Sequence, residues 1–289
     1  MFTIVADDLG ISASRDLGIF QAIISGVVTN TVLLPNGPTS LPAIQLFKQH
    51  KLLDRVGLHL NLTEGKPLTV ANRINSILLK SDQIQEGTNQ ISNDNNPLFL
   101  GKNLIRKMAN DNKIIVEHLL IEAEAQIDWF IDSVGFTPFF INGHQHCHII
   151  PQFVEPLATL FAKKNIRYVR IPYEENSINP LCSVCSIVSQ QSLLAKDIYN
   201  NYGIITNDIF LGLSFCGNKY SVEDIESYLN LEENKDKIVE IMVHPGYKDI
   251  INPWDSFSQS DDRESELKVL IDKNLKKFTV TDLKKLIQY

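Results

Sequence analysis

Short apolar runs recur along this chain, separated by longer amphipathic stretches, and most of the runs end on polar residues. Phe2-Thr3-Ile4-Val5-Ala6 leads into Asp7-Asp8. Arg55 to Leu62 alternates over its second half, with Leu58, Leu60 and Leu62 on one side and His59 and Asn61 on the other. Pro138-Phe139-Phe140-Ile141 leads into Asn142-Gly143-His144-Gln145-His146-Cys147-His148. Ile166 to Val169 reaches Arg170, and Ile238 to Val243 reaches His244-Pro245-Gly246. Residues 41–49, 114–133, 152–164 and 263–275 carry the spacing of helices between them. Such alternation argues an α/β chain with a parallel sheet and crossover helices. The polar groups then gather at the carboxyl ends of the strands, where a barrel or a doubly wound sheet builds its site. Periodicity does not separate the two, although 289 residues is an ordinary length for an α/β barrel.

No shift in composition marks a border and no repeat occurs, so residues 1–289 read as one domain. The polar stretch 81–97 reads as an exposed, mobile loop. The Ser-rich stretch 183–192 reads as partly loop, Ser221 as a helix cap, and Phe278-Thr279-Val280 as a last short strand. A net charge of −7 without a basic block excludes nucleic acid as a partner. No apolar run has the length of a membrane helix and no signal peptide opens the chain, so a cytoplasmic location is expected. Cys182 and Cys185 form a lone C-x-x-C. Without a second pair or a redox context, they read as ordinary reduced thiols.

Three of the seven histidines fall within residues 144–148. If this stretch stays extended, His144, His146 and His148 share a face. Together with one aspartate, such histidines can hold a divalent ion and leave positions open for water and substrate. Adjacent carboxylates on a strand point opposite ways. One of Asp7 and Asp8 can thus be a ligand, while the other is a base or orients a histidine. His244 can protonate a leaving group, supported by Glu240 on the same strand. Each feature has a plainer reading: a surface His cluster, a capping turn at Asp7-Asp8, a core histidine at 59, a Pro-Gly turn at 244. Their co-occurrence at strand ends favours a hydrolase of amides or esters.

These blocks resemble those of the YdjC-like carbohydrate deacetylases. The resemblance rests on Ala6-Asp7-Asp8-Leu9-Gly10 with Ser12, and on Gly57 to Thr63 with Gly65-Lys66-Pro67-Leu68. It continues through His144 to His148 with Pro151, Arg170-Ile171-Pro172, and Glu240 to Gly246, and it spans residues 2 to about 275. It implies a TIM-barrel-like fold and metal-dependent removal of an acetyl group from an N-acetylated sugar, such as an N-acetylglucosamine oligosaccharide. It also implies Asp8, His59 and His144 as ligands of one divalent ion, Asp7 as base and His244 as acid. His146, Arg170 and Asn61 fall in the same blocks as candidate sugar contacts. The family's metal is magnesium, whereas two imidazoles and a carboxylate suit zinc by softness. Leu9 stands where Phe is common, which is expected to change the site wall. Asn142-Gly143 stands where Asp-Ser is common, which is expected to alter how His144 is oriented. A two-metal phosphoesterase on the same barrel and a sugar-binding protein without activity are the alternatives. The acyl sugar, its length and any homo-oligomer are left open.

Overall fold

A computed structural model describes residues 2–287 except 26, 86–89, 175–182, 215–216, 218–220, 230–235, 250–256 and 278–279. Gly26, Cys182, Cys216 and the short strand expected at Phe278-Thr279 lie outside the described residues, as does the side chain of Cys185.

Among the described residues eight strands form one sheet: β1 (Phe2–Leu9), β2 (Asn30–Leu33), β3 (Val56–Leu60), β4 (Phe140–Gly143), β5 (Tyr168–Val169), β6 (Ile205–Thr206), β7 (Ile209–Leu211) and β8 (Val239–Val243). The order is β6-β5-β4-β3-β2-β1-β8-β7, and every pairing is parallel. The edge strands β6 and β7 are joined by only Asn207 and Asp208, so the sheet must curl until its edges meet. This is the TIM-barrel-like α/β fold. Asn207 holds the join: its side chain accepts the Ile171 N–H and donates to the carbonyls of Ile171 and Ile209.

Between the strands run α1 (Ala13–Ser25), α2 (Ser40–Gln49), α3 (Lys102–Asn110), α4 (Val116–Val134), α5 (Pro151–Lys163), α6 (Ser183–Asn201) and α7 (Val222–Leu229), and after β8 come α8 (Asp262–Leu270) and α9 (Leu283–Ile287). The Ser-rich stretch is thus helical and not partly loop: α6 buries Val188, Ala195 and Tyr199 against the sheet layer. That tertiary burial outweighs the weak helix propensity of serine. Ser221 does accept the N–H of Asp224 at the start of α7, as a cap should.

Strand alternation divides the core. Ile4, Ala6, Leu33, Leu58, Ile141 and Val169 face the helices. Val5, Val32, Phe140 and Tyr168 fill the barrel, closed at its amino end by Leu283 and Leu286 of α9. The polar stretch 81–97 is not loose where it is described. Ile84 and Ile91 pair antiparallel, and the Asp82 and Ser92 N–H groups donate to the carbonyls of Ser92 and Gln83. The buried Gln85 side chain accepts the Gly65 N–H and donates to the Phe99 carbonyl. Asn, Ser and Gln here bond the backbone in place of water, which a composition argument does not see. Among the described residues no helix is long and apolar enough to cross a membrane.

Helix α1 meets the segment after β8 backbone to backbone. A Cβ on Gly18 would lie 2.4 Å from the Gly246 Cα. Alanine raises intrinsic helix stability by about 1 kcal/mol over glycine, yet Gly18→Ala is expected to destabilise by about 1–3 kcal/mol through overpacking. Urea midpoints measure the sign, and a midpoint at or above wild type would show that residues 244–247 yield freely.

Candidate metal centre and active site

The strand parity that fills the lower barrel with Val5, Phe140 and Tyr168 continues upward to Asp7, Asn142 and Arg170 on the same strands, with His59 and Glu240 facing them. Arg170 is fully buried and carries the layer. It donates to both Asp7 oxygens, at 2.5 and 2.9 Å, and its Nε donates to Glu240 at 2.5 Å. Tyr168 donates its hydroxyl to the other Glu240 oxygen. Burial pushes the Asp7 carboxyl up, but Arg170 with His59 and His244 holds it below the ordinary value.

Asp8 breaks the alternation. Its φ is 70°, and the β1–β2 register shifts between Ala6 and Leu9. Asp8 therefore turns toward the same cleft as Asp7, where a regular strand would have sent it to the helices. Its Oδ1 lies 3.3 Å from His59 Nε2 and 3.1 Å from His144 Nδ1, and those two nitrogens are 3.3 Å apart. The far nitrogen of each imidazole is already engaged. His59 Nδ1 bonds Asn142 Oδ1, whose amide nitrogen donates to Asp7 at 3.0 Å. His144 Nε2 lies 3.0 Å from Glu64 Oε2. With the ring protons placed on the far side, two lone pairs and a buried carboxylate face one point. Burial alone would lower the His144 pKa, yet Asp8 and Glu64 raise it to about 10. A place that draws a proton so strongly is one that fits a cation, and the donor set suits a divalent ion.

The extended form expected for residues 144–148 does not occur. They form a tight helical turn in which Gln145 and His146 are both left-handed. His144 joins Asp8, and His146 lines the cleft separately. His148 is fully buried, with its Nε2 donating to the Arg170 carbonyl. Cys147 is buried, and burial pushes its thiol up to about 12.

A cleft of about 200 Å³ opens above this centre, bounded by Asp7, Asp8, His59, His144, His146 and His244. Gly143 and Gln145 line it beside His144, and Glu64, Lys102, Met242 and Phe257, none of them singled out from the sequence, complete its described wall. Glu64 had a signal in its place just past β3; the other three had none. His244 sits with its ring edge toward Phe257. Its carbonyl accepts from Arg15 and Arg263, and its N–H donates to Glu266. Its Nδ1 has no hydrogen-bond partner among the described residues. Burial, with Arg263 and Arg15 opposing the pull of Asp8 and Asp7, lowers its pKa to about 3.

Five readings from the sequence change here. Asn61 does not line the cleft. Its side chain accepts from Thr63 and Glu64 and donates to Asn36 and the Glu64 carbonyl, so it shapes the turn that carries Glu64. Arg170 lies beneath the cleft, bonded to Asp7, and does not line it. Glu240 is spent on Arg170 and Tyr168 and does not support His244. Asn142 orients His59 and not His144, because β3 and β4 pair at those two positions. Leu9 belongs to the apolar core and not to the site wall.

An Asp-His-His centre at the carboxyl end of a curled parallel sheet is the class that fold and site define. The chain matches the YdjC-like protein family over residues 1–280 and belongs to it. It is 30% identical to a human protein named carbohydrate deacetylase, over 92% of this chain and 83% of that one. It is 28% identical to the chitooligosaccharide deacetylase of Citrobacter koseri, over 94% and 90%. The fold is shared with a proposed cellobiose-phosphate cleavage protein of Enterococcus faecalis: TM-score 0.73, 22% identity, 99% of this chain and 98% of that one.

The exit of β1 is anchored by Asp16, which accepts the Gly10 N–H and the Thr39 hydroxyl, both at 2.6 Å. Burial raises its pKa from 3.8 to about 7, against the pull of Thr39, Gly10 and Arg15. Between those values the folded chain holds a proton there that the unfolded chain has lost. The contribution of Asp16 is therefore full below its unfolded pKa and is lost as pH rises toward 7. Asp16→Asn is expected to flatten the decline of unfolding free energy between about pH 4 and 7. An unchanged slope in urea titrations across that window would refute it.

Proposed function

We propose that this protein hydrolyses the acetyl amide of an N-acetylated sugar with the help of one divalent ion held by Asp8, His59 and His144. The observation that carries the reading is the convergence of those three ligand atoms, all within 4.8 Å of one another, beside an ionised Asp7 in an open cleft. The activities named for the human and Citrobacter relatives supply the substrate class. An ion in this place supplies Lewis acidity, polarising the acetyl carbonyl and acidifying a water molecule.

Asp7 takes the proton of the attacking water. Arg170 and Asn142 fix its carboxylate, and Arg170 foremost keeps it ionised against burial, so the acceptor is ready at neutral pH. The departing sugar amine must then gain a proton. Among the described residues the His244 ring has no carboxylate hydrogen-bonded to it, and two guanidinium groups sit against its carbonyl, so it rests neutral. We therefore assign the delivered proton to Asp7, and to His244 a hydrogen bond that steadies the negative charge of the tetrahedral centre. His146, half-buried and with a free Nδ1 among the described residues, faces the sugar. A phosphoesterase with two ions would need a second ligand group, and among the described residues only one such group converges.

The test is acetate release from N-acetylglucosamine oligomers and related conjugates by metal-free protein given magnesium or zinc. Acetate is expected with one of them and not after chelation; none with any metal would end the proposal. In the same assay Asp7→Asn is expected to keep its metal while turnover falls by roughly 10²–10⁴, and His144→Ala to lose the metal.

The role of His244 has its own test. His244→Ala is expected to slow an N-acetyl sugar and an activated acetyl ester alike, because both pass through the same oxyanion. An ester spared while the amide is lost would return the acid role to His244.

A further inference from the structure

The turn that carries His144 and His146 is held in a backbone form that its residues do not favour. Gln145 (φ 50°, ψ 29°) and His146 (φ 56°, ψ 35°) are consecutive left-handed residues, and neither is glycine. L-residues avoid this region because Cβ crowds the following carbonyl. Such a conformation persists only where the surroundings over-determine it.

The group that does so comes from outside the strands. Arg106, on α3, places one nitrogen, Nη2, 2.8 Å from the Gln145 carbonyl oxygen and 3.2 Å from that of His146. Its Nη1 donates to Gln191 of α6 at 2.8 Å, which fixes the plane of the guanidinium. One cation thus caps both carbonyls that the left-handed pair turns outward. From the opposite side the Gln145 amide reaches Glu64, which also holds His144. Helix α3 begins with Lys102, a cleft residue, so Arg106 lies one helical turn behind the cleft wall.

We infer that Arg106 is a positioning residue that locks the Gln145–His146 turn, and so sets His144 Nδ1 against Asp8 and turns His146 into the cleft. The segment between β3 and α4 then belongs to the metal centre, to which it contributes Glu64, Lys102 and Arg106. The inference rests on His144 being a metal ligand, but its readout is metal binding and not deacetylation.

The experiment measures Co²⁺ affinity and the Co²⁺ absorption spectrum of metal-free wild type, Arg106→Ala, Gln145→Gly, and the double variant. Arg106→Ala is expected to weaken Co²⁺ by roughly 10–100-fold, the scale for partners that orient a ligand, and to alter the spectrum. Glycine adopts the left-handed form without penalty. The double variant is therefore expected to recover the affinity of Gln145→Gly alone. A merely structural loosening of α3 would lower the melting temperature in both backgrounds, and glycine at 145 would restore nothing. Wild-type affinity in Arg106→Ala, or no recovery in the double variant, overturns the inference. If Arg106→Ala does not fold, the same comparison runs between Arg106→Lys and Arg106→Lys/Gln145→Gly. Wild type that binds no Co²⁺ would remove His144 as a ligand, and the clamp would fall with it. A wild type that binds Co²⁺ but releases no acetate would refute only the deacetylase reading.

Discussion

The arginine at the centre of the barrel is the group on which the site depends. Arg170 is fully buried, and an unpaired guanidinium there would be strongly destabilising. It is tolerated because Asp7 and Glu240 sit on either side of it. Removing one member of a buried pair typically costs about 3–5 kcal/mol, since the other is left uncompensated. The barrel must therefore bring β1, β5 and β8 together in one register. Those strands deliver Asp7, Arg170 and Glu240, so the requirement that satisfies the core charge also positions Asp7, the proposed base.

From that pair a hydrogen-bonded chain runs upward without a gap. Tyr168 donates to Glu240, Arg170 bridges Glu240 and Asp7, and the Asn142 amide bridges Asp7 and His59. In this chain the Asn142 side chain does both, accepting on its oxygen and donating from its nitrogen. A carboxylate there would satisfy His59 but would face Asp7 with like charge. The two imidazoles are consequently unlike: His59 leans on a neutral amide and His144 on the carboxylate of Glu64. Second groups of this kind orient a ligand and tune it, and the two imidazoles are tuned by different chemistry.

Much of this was legible in the sequence, because strand parity is a strict rule. The alternation of strands and helices and the placing of polar groups past strand ends follow from period-two side chains on apolar runs, and the family resemblance picked Asp7, Asp8, His59, His144 and His244 out of those strand ends. What parity cannot show is which polar partner a side chain takes once three strands converge. Glu240 was read against His244, four residues along its own strand, whereas its partners Arg170 and Tyr168 lie across the barrel. Asn61 was read with His59 by the same rule, yet its side chain folds back onto the turn at Thr63 and Glu64. Arg106 carried no signal at all: it lies on a helix after a polar excursion, and its partners are backbone carbonyls.

The candidate metal centre lies where the regular backbone fails. A straight β1 would present Asp7 to the barrel and send Asp8 to the helix layer, and an extended 144–148 would have set three histidines in one row. Both rules are broken by residues in the left-handed region: Asp8 in the first case, Gln145 and His146 in the second. Each break turns a candidate ligand inward that parity would have misplaced or shared. Each is held by groups that do no chemistry themselves: Asp16 at Gly10 just past Asp8, and Arg106 at the carbonyls of the histidine turn. Strained backbone of this kind costs stability wherever it stands. Its presence at both ligand-bearing turns is what a site needs if two adjacent carboxylates are to face one cleft with separate tasks.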